Sequence, residues 1–207
     1  MVHHVLLLNA DAQPLSLLPI STISWQQAIK LLYLDAATAL HSYDWEVHSP
    51  SVSMLVPAVL ILHKHVHNLR EWVARDACGP QKPLVFLRDM FTCQYCGQMF
   101  PRSQLTIDHV MPRKFGGRTR WDNVATCCIR CNCERGCDIR IQPKHRPFKP
   151  SYGLLLRNMR TFPLSIPHES WNYYLGWSAD KVRLIDPYNG RILNDNFDFG
   201  VRVPVEF

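Results

Sequence analysis

The chain has 207 residues, of which 47% are hydrophobic and 19% charged, the balance of a globular protein long enough to bury a core. No apolar run approaches the roughly 20 residues of a membrane-spanning helix, and the first residues lack the pattern of a secretory signal, so we expect a cytoplasmic protein with no membrane partner. The net charge of +6 is concentrated in the middle, where residues 88–160 carry 14 Lys and Arg against 5 Asp and Glu. Such a basic segment is typical of proteins that bind a polyanion, although a solvated basic surface is an alternative.

Residues 1–84 contain short strand and helix signals in alternation. Ser24 and Gln27 have the spacing of a capping box, so we expect a helix to begin after Ser24. Pro57 interrupts an apolar run, which favours strands or extended segments over a helix there. The predicted elements are a strand at 5–8, a helix at about 25–34, a strand at 41–48 and extended segments at 52–66. These signals predict a small α+β region.

Three histidines alternate at the end of this run, namely His63, His65 and His67. Alternating residues share one face of a strand, so these side chains could form a metal site. An exposed strand edge is the preferred interpretation.

Seven of the eight cysteines lie between residues 93 and 137. Cys93-x-x-Cys96 and Cys128-x-x-Cys131 are two matched pairs with 31 residues between them. Two such pairs complete the tetrahedral shell of four thiolates found in structural zinc sites, and in an intracellular protein such clustering favours a metal over disulfides. A redox pair or packed free cysteines are the alternatives. We predict one structural zinc ion in a knuckle formed by these four thiolates.

Cys127, Cys133 and Cys137 remain outside this shell. They could form a second metal site, but no fourth ligand is evident, and a complete shell of four thiolates has no room for them. We therefore expect these three to be small buried thiols.

Between the cysteine pairs, the pattern predicts a strand, a loop, a second strand and a helix. The first strand, from Leu105 onward, carries the adjacent pair Asp108-His109. A basic loop follows at 113–120 and is closed by Trp121-Asp122-Asn123. The returning strand is predicted at 124–127 and the helix at 129–136, with Asn132 on that helix.

The remaining chain begins with the basic connector, residues 142–150, whose proline content predicts an extended conformation. A helix is expected near 151–160, and Asn189-Gly190 predicts a hairpin turn. Aromatic residues of this tail are more typical of a core than of a base-stacking surface; they are Trp171, Tyr173, Tyr174 and Trp177.

The segment from Cys93 to Gly136 resembles the HNH endonucleases, in the zinc-containing group of ββα-metal (His-Me finger) nucleases. The flanking sequence is similar to free-standing bacterial and phage HNH proteins. The expected fold class is α+β, with a ββα-metal core and a four-cysteine zinc knuckle at 85–142, an N-terminal region at 1–84 and a C-terminal extension at 143–207. The resemblance is carried by Cys93-x-x-Cys96, Asp108-His109, Gly116-Gly117, Trp121-Asp122-Asn123 and Cys128-x-x-Cys131-Asn132-x-x-Arg135-Gly136.

This resemblance implies that Asp108 and Asn132 hold a catalytic Mg²⁺ or Mn²⁺ and that His109 is the general base. A neutral imidazole can take a proton from attacking water near neutral pH. Asn123 would tie the loop to the backbone and so fix His109. Because adjacent strand residues face opposite sides, we expect a bend at the strand end, near Pro112, to bring Asp108 and His109 together.

The resemblance makes DNA the expected substrate. One ββα unit per chain cuts one strand, so a double-strand break would require a homodimer or two events. The main alternative is a non-catalytic zinc-ribbon module that binds nucleic acid, which has no need of Asp108, His109 and Asn132. A zinc deaminase is disfavoured because its His-x-Glu pattern is missing at His109. The basic residues expected to contact DNA are Arg113, Lys114, Arg118, Arg120 and Arg135.

Overall fold

The computed structural model describes residues 4–18, 20–49, 53–66, 79–189 and 191–193. None of the helices in these ranges has the length and apolar character that crossing a bilayer requires. In chain order, the strands and helices are β1 (His4–Leu8), β2 (Thr22–Ser24), α1 (Trp25–Tyr33), β3 (Ala37–His48), β4 (Ser53–Leu62), α2 (Lys82–Arg88), β5 (Leu105–His109), β6 (Val124–Cys128), α3 (Ile129–Arg135), α4 (Tyr152–Met159), β7 (Leu164–Ile166), α5 (Trp171–Leu175) and β8 (Val182–Leu184).

Contacts divide the chain into two compact units. The described part of the first comprises residues 4–18, 20–49, 53–66, 163–189 and 191–193, and that of the second comprises residues 79–162. Residues 143–162 thus group with the second unit and residues 163–193 with the first. From the sequence, in contrast, both stretches are predicted to form one C-terminal extension.

A four-stranded mixed sheet forms the first unit, with the order β2-β1-β4-β3. β1 pairs in parallel with β4, and the other neighbours are antiparallel. The capping box at the start of α1 is confirmed, since Ser24 and Gln27 each accept the other's backbone N–H through their side chains. Ala28 of this helix joins Val5 and Leu60 in one buried cluster, which packs α1 against the sheet.

β4 contains Pro57 and continues through it to Leu62. Pro57 lies opposite Ser42, where the register of the β3–β4 pair shifts on both sides, because proline has no N–H to donate. His63 and His65 follow the end of β4 and do not share a strand face, and His67 lies outside the described residues. Within the described ranges no cluster of metal-binding side chains includes a histidine.

The C-terminal part of the first unit contains the parallel pair β7–β8 and the short helix α5. Trp171 and Trp177 are buried, and the Trp171 indole donates a hydrogen bond to the Ala58 carbonyl at 2.8 Å. Tyr173 is 77% exposed, so the prediction of an aromatic core holds for the tryptophans and fails for this tyrosine. Ile185 and Ile192 form an antiparallel bridge around the predicted turn, whose Gly190 is outside the described residues.

The second unit contains the strand, loop, strand and helix order. β5 and β6 form an antiparallel pair, and α3 follows β6 directly. α2 is not among the elements predicted from the sequence. Pro83 lies in its first turn, where a missing N–H costs no helical bond. α4 packs on α2, and its Asn158 amide donates to the carbonyls of Leu87 and Arg88 at 3.0 and 3.2 Å. The predicted α+β class with a ββα core is confirmed.

Candidate active site and metal centre

The four cysteines of the two matched pairs lie together. Their sulfur atoms are all within 4.8 Å of one another. Zinc with four Zn–S bonds of about 2.3 Å needs sulfur atoms roughly 3.8 Å apart, so the arrangement fits a tetrahedral zinc ion. Cys93 and Cys128 are buried, whereas Cys96 is exposed, which leaves one side of the cluster open to solvent.

Local backbone geometry explains why these residues form a knuckle. The Gly97 N–H donates to the Cys93 carbonyl at 2.8 Å, and Gly97 has a φ of +80°, which favours glycine. The Lys144 ammonium donates to the Cys96 carbonyl at 2.9 Å, and a Cβ on residue 97 would overlap that ammonium. On the other side, the Cys128 sulfur caps α3 by accepting the Cys131 N–H at 3.4 Å.

The protein environment acts unequally on these thiols. Burial raises the pKa of Cys93, but backbone hydrogen bonds of Cys128 and Cys96 together lower it to about 7. Burial raises the pKa of Cys131. Burial and the neighbouring Cys93 thiol raise the pKa of Cys96. A bound divalent cation favours the thiolate form of such ligands, which is the form that a four-cysteine zinc site requires.

The remaining cysteines of the cluster region differ from one another. Cys127 is buried, and burial raises the pKa of its thiol, so it is the small packed thiol predicted from the sequence. Cys133 and Cys137 are exposed, and the prediction that they are buried is wrong because both lie on the outer side of α3 and the turn after it.

Asp108 and His109 face opposite sides of β5. The β5–β6 register is regular as far as His109, which pairs with Val124, so side chains alternate to the strand's end. Asp108 is buried at 6% exposure, whereas His109 is half-buried and contacts the loop. The predicted bend that would bring the two side chains to one face is absent from this strand pair.

On the inner face of β5, Arg135 holds the Asp108 carboxylate in place. Its Nη1 donates to both carboxylate oxygens of Asp108, at 2.9 and 2.8 Å, and its guanidinium also donates to the carbonyls of His109 and Val110 at 3.2 and 2.6 Å. The Tyr95 hydroxyl donates to the same carboxylate. Burial and this bond raise the pKa of Tyr95, so the hydroxyl stays protonated and continues to donate.

Arg135 is therefore not a DNA contact in this structure, contrary to the prediction. Its side chain is 1% exposed and is committed to Asp108 and, at 2.9 Å, to the Ile141 carbonyl. A guanidinium enclosed in this way cannot reach a phosphate without breaking those bonds.

The outer face of β5 presents His109 to two loop side chains. Its Nε2 lies 2.9 Å from the Thr119 hydroxyl and 3.3 Å from Nε of Arg113. An arginine N–H can only donate, so Nε2 is the accepting nitrogen and Nδ1 carries the proton. Burial and then the Arg113 charge lower the pKa of His109, against the opposite effect of Asp108. The imidazole is therefore held neutral near pH 7, as a base requires.

Residues 110–123, which we call the outer loop, are held in a closed shape. Gly116 has a φ of +84°, which disfavours any residue with a side chain. At Gly117 a Cβ would overlap the Met111 carbonyl, so both positions require glycine, for different reasons. The Asn123 side chain accepts the Met111 N–H at 2.8 Å and donates to the carbonyls of Met111 and Arg118 at 3.1 and 2.9 Å. Asn123 thus ties both limbs of the loop together, the contact expected from the resemblance.

Asn132 is half-buried on α3, three residues before Arg135, and residues at this spacing share a helix face. No hydrogen bond to another described residue occupies its amide. The Asp108 carboxylate has about four lone-pair positions, and three accept from Arg135 and Tyr95. Carboxylate and amide oxygens are the donors that Mg²⁺ prefers, so these two side chains have the chemistry that a hard cation requires, and one position on Asp108 is left beside Arg135 and Tyr95.

The four cations predicted on the outer loop are all exposed. Arg113 contacts His109, the Lys114 ammonium lies 5.8 Å from the Phe115 ring centroid, and Arg120 is 3.3 Å from the Asp122 carboxylate. Arg118 offers its carbonyl to Asn123 and leaves its guanidinium at the surface. Four positive charges therefore border the side of the unit that carries His109.

Three residues that bear on the site were missed from the sequence. Tyr95 and Thr119 contact Asp108 and His109, but single polar residues inside a knuckle or a basic loop give no pattern that assigns their partners. Arg88 is nearly enclosed and donates to the carbonyls of Trp121 and Val124 at 3.0 and 2.8 Å. The one sequence signal of a buried role for Arg88 is that it directly follows the apolar residues Val85 to Leu87, which α2 buries.

Comparison with known families gives two matches. Residues 5–69 match the family described as HNH endonuclease-associated, N-terminal domain, and residues 93–142 match the family described as HNH endonuclease. The second match contains both cysteine pairs, β5, the outer loop and α3. No curated protein matches the chain. Residues 93–142 are therefore an HNH endonuclease domain, and residues 5–69 are the domain that accompanies such domains.

Proposed function

We propose that this protein is a metal-dependent endonuclease that hydrolyses phosphodiester bonds in DNA. The observation that carries the proposal is His109, a neutral and solvent-accessible imidazole at the end of β5, between a buried arginine–carboxylate pair and a loop with four exposed cations. A zinc-binding module without catalysis has no use for a basic nitrogen in that position.

His109 acts as the general base. In the free protein its Nε2 lone pair is covered by Arg113 and Thr119. A phosphate that approaches the loop attracts the Arg113 guanidinium, which binds phosphate oxygens in a paired geometry. Nε2 is then free to take the proton from the attacking water. Thr119 positions the ring before the phosphate binds, since its hydroxyl lies 2.9 Å from Nε2 and accepts from Arg113 at 3.0 Å; the hydroxyl can then rotate away and leave the lone pair open.

Asp108 and Asn132 would hold the catalytic cation, Mg²⁺ or Mn²⁺. When bound, such a cation stabilises the negative charge that develops on the leaving oxygen. Arg135 already neutralises the Asp108 carboxylate, so we expect weaker cation binding than an unpaired carboxylate would give. The four cysteines would hold a structural zinc ion, which takes no part in the reaction.

The loop cations Arg113, Lys114, Arg118 and Arg120 bind the DNA backbone. Contacts to phosphates give affinity without reading the sequence, so cleavage by this unit alone should depend little on base sequence.

The test is cleavage of supercoiled plasmid with and without Mg²⁺. We expect cleavage by the wild-type protein that depends on the cation and falls about 10²- to 10⁴-fold in His109→Ala, with folding and zinc content unchanged. His48→Ala, at an exposed histidine of β3, is the matched control and should cut at the wild-type rate. If the wild-type protein binds DNA but does not cleave it, the nuclease proposal is wrong and a non-catalytic zinc-ribbon module is the better interpretation.

The role of Asp108 has its own experiment. Asp108→Asn keeps an acceptor for Arg135 while it removes the charge that holds a cation. We expect higher Mg²⁺ or a change to Mn²⁺ to restore part of its activity, and neither to restore His109→Ala. Equal rescue of both variants would contradict the separate roles.

A further inference from the structure

The basic connector, residues 142–150, lies beside the outer loop in the second unit. The Phe148 and Trp121 carbonyls both accept a hydrogen bond from Nη1 of Arg88, each at 3.0 Å. The Arg88 guanidinium also lies 5.6 Å from the Phe148 ring and 5.9 Å from the Trp121 ring. One buried arginine therefore fastens the connector to the closing end of the outer loop.

Further contacts fix the start of the connector on the zinc knuckle. The Lys144 N–H donates to the Gln94 carbonyl at 2.7 Å, and its ammonium donates to the Cys96 carbonyl. Pro147 and Pro150 are buried. The segment is extended, as the sequence predicts, but it is anchored at both ends and does not behave as a free linker.

The anchoring places two exposed cations in clefts shared with the outer loop. Lys149 lines a cleft of about 490 Å³ together with Thr119 and Arg120. Arg146 lines a second cleft, of about 390 Å³, together with Met111 and Asn123. Thr119 contacts the proposed base and Asn123 holds its loop, so both clefts adjoin the proposed active site.

The charge of these two segments is strongly one-sided. Residues 113–120 and 142–150 carry seven Lys and Arg and no Asp or Glu. The carboxylate of Asp122 lines both clefts, but Arg120 pairs with it at 3.3 Å. Two cationic segments separated by clefts match a polyanion whose charges are regularly spaced.

We propose that the basic connector is the second wall of the DNA-binding surface and that Arg146 and Lys149 bind backbone phosphates of the substrate. Lys144 is excluded from this role, because its ammonium is held by the knuckle. The proposal rests on the proposed function, since it names residues that hold the same substrate. It also explains why the connector is rigidly attached: a phosphate contact contributes more when its side chain stands on a fixed backbone.

The experiment measures DNA affinity against salt in the full chain carrying His109→Ala, so that binding is observed without cleavage. The probe is a short fluorescent DNA duplex followed by anisotropy. Each lost phosphate contact lowers the slope of log K against log salt by about 0.9. In Arg146→Gln/Lys149→Gln, the loss of affinity between about 50 and 200 mM salt should therefore be roughly tenfold smaller than in the parent.

The matched control is Arg130→Gln/Arg140→Gln. It removes the same charge from the same unit at two exposed arginines that are paired with Glu134 and Asp138, and neither residue lines the two clefts. We expect its salt slope to equal that of the parent. An unchanged slope in the connector variant, or an equal fall in both variants, overturns the connector proposal and leaves the nuclease proposal standing. A parent that does not bind DNA overturns both.

Discussion

Asp108 and His109 are adjacent in the chain, yet their surroundings differ in almost every respect. Asp108 belongs to what we call the framework, which consists of Asp108, Arg135, Tyr95 and the four clustered cysteines. His109 faces the outer loop, where its partners are exposed side chains. The framework is held by one buried charge pair and by backbone contacts, whereas the loop contacts can be exchanged for water or phosphate. Framework changes should therefore affect folding, and outer-loop changes should affect the reaction.

The largest effect is expected from loss of the zinc site. Structural zinc contributes about 10–16 kcal/mol to small zinc domains, so in Cys128→Ser the second unit should neither retain zinc nor fold. Cys137→Ser, at an exposed cysteine close by, should behave as wild type. Elemental analysis and thermal unfolding measure both. A folded Cys128→Ser protein with a full zinc content would show that the fold does not depend on zinc ligation by Cys128.

The next effect concerns the buried ion pair. Arg135→Met leaves Asp108 enclosed without its cation, which typically lowers the free energy of unfolding by about 3–5 kcal/mol. Urea unfolding measures the loss. Arg130→Met, at an exposed arginine of the same helix, should change stability by less than about 0.5 kcal/mol. If Arg135→Met and Arg130→Met unfold at the same urea concentration, the pair does not support the framework.

A smaller effect, and one on the reaction, is expected from Asn123→Ala. The variant loses the three hydrogen bonds that join the limbs of the outer loop. A displacement of about 1 Å at a reacting group can cost about 10²-fold in rate, so we expect a loss of that order in kcat. Asp122→Asn, at the exposed neighbour, should keep the wild-type kcat on saturating DNA. A normal kcat for Asn123→Ala would show that the loop holds His109 without this tie.

The smallest effect is expected from Thr119→Val, which has nearly the same shape but no hydroxyl. One hydrogen bond of about 1 kcal/mol is lost, so kcat should fall about fivefold while DNA affinity is unchanged. Thr119→Ser, which keeps the hydroxyl, should restore the rate. A fall in affinity in place of kcat would assign Thr119 to binding and not to the orientation of His109.

The sequence predicts those parts of the site that depend on local spacing. The cysteine pairs, the capping box at Ser24 and the strand, loop, strand and helix order all follow from residues close together in the chain. The direction of a buried side chain does not. Arg135 has the positive charge expected of a phosphate contact, but its side chain points inward onto Asp108. The packing of α3 on β5 determines that direction, and the sequence does not reveal it.

The expected bend at the end of β5 is absent for a related reason. That expectation rests on the need to bring Asp108 and His109 together, with Pro112 as the cause of the bend. The pairing with β6 continues to His109, and the chain turns only afterwards, where the Val110 N–H bonds to the Asn123 carbonyl at 2.9 Å. A functional requirement is weaker evidence for backbone shape than the hydrogen bonds that a strand can make.

Arg88 also bears on how far the structural module extends beyond the segment that matches the family. The segment that matches the HNH endonuclease family covers residues 93–142, but Arg88 lies before it and its acceptor at Phe148 lies after it. Phe91 and Phe162, whose rings pack edge to face at 5.0 Å, lie outside it as well. A fragment limited to the matched segment would lack the arginine and the apolar contacts that support the outer loop. The structural module is therefore the whole stretch from about residue 79 to residue 162.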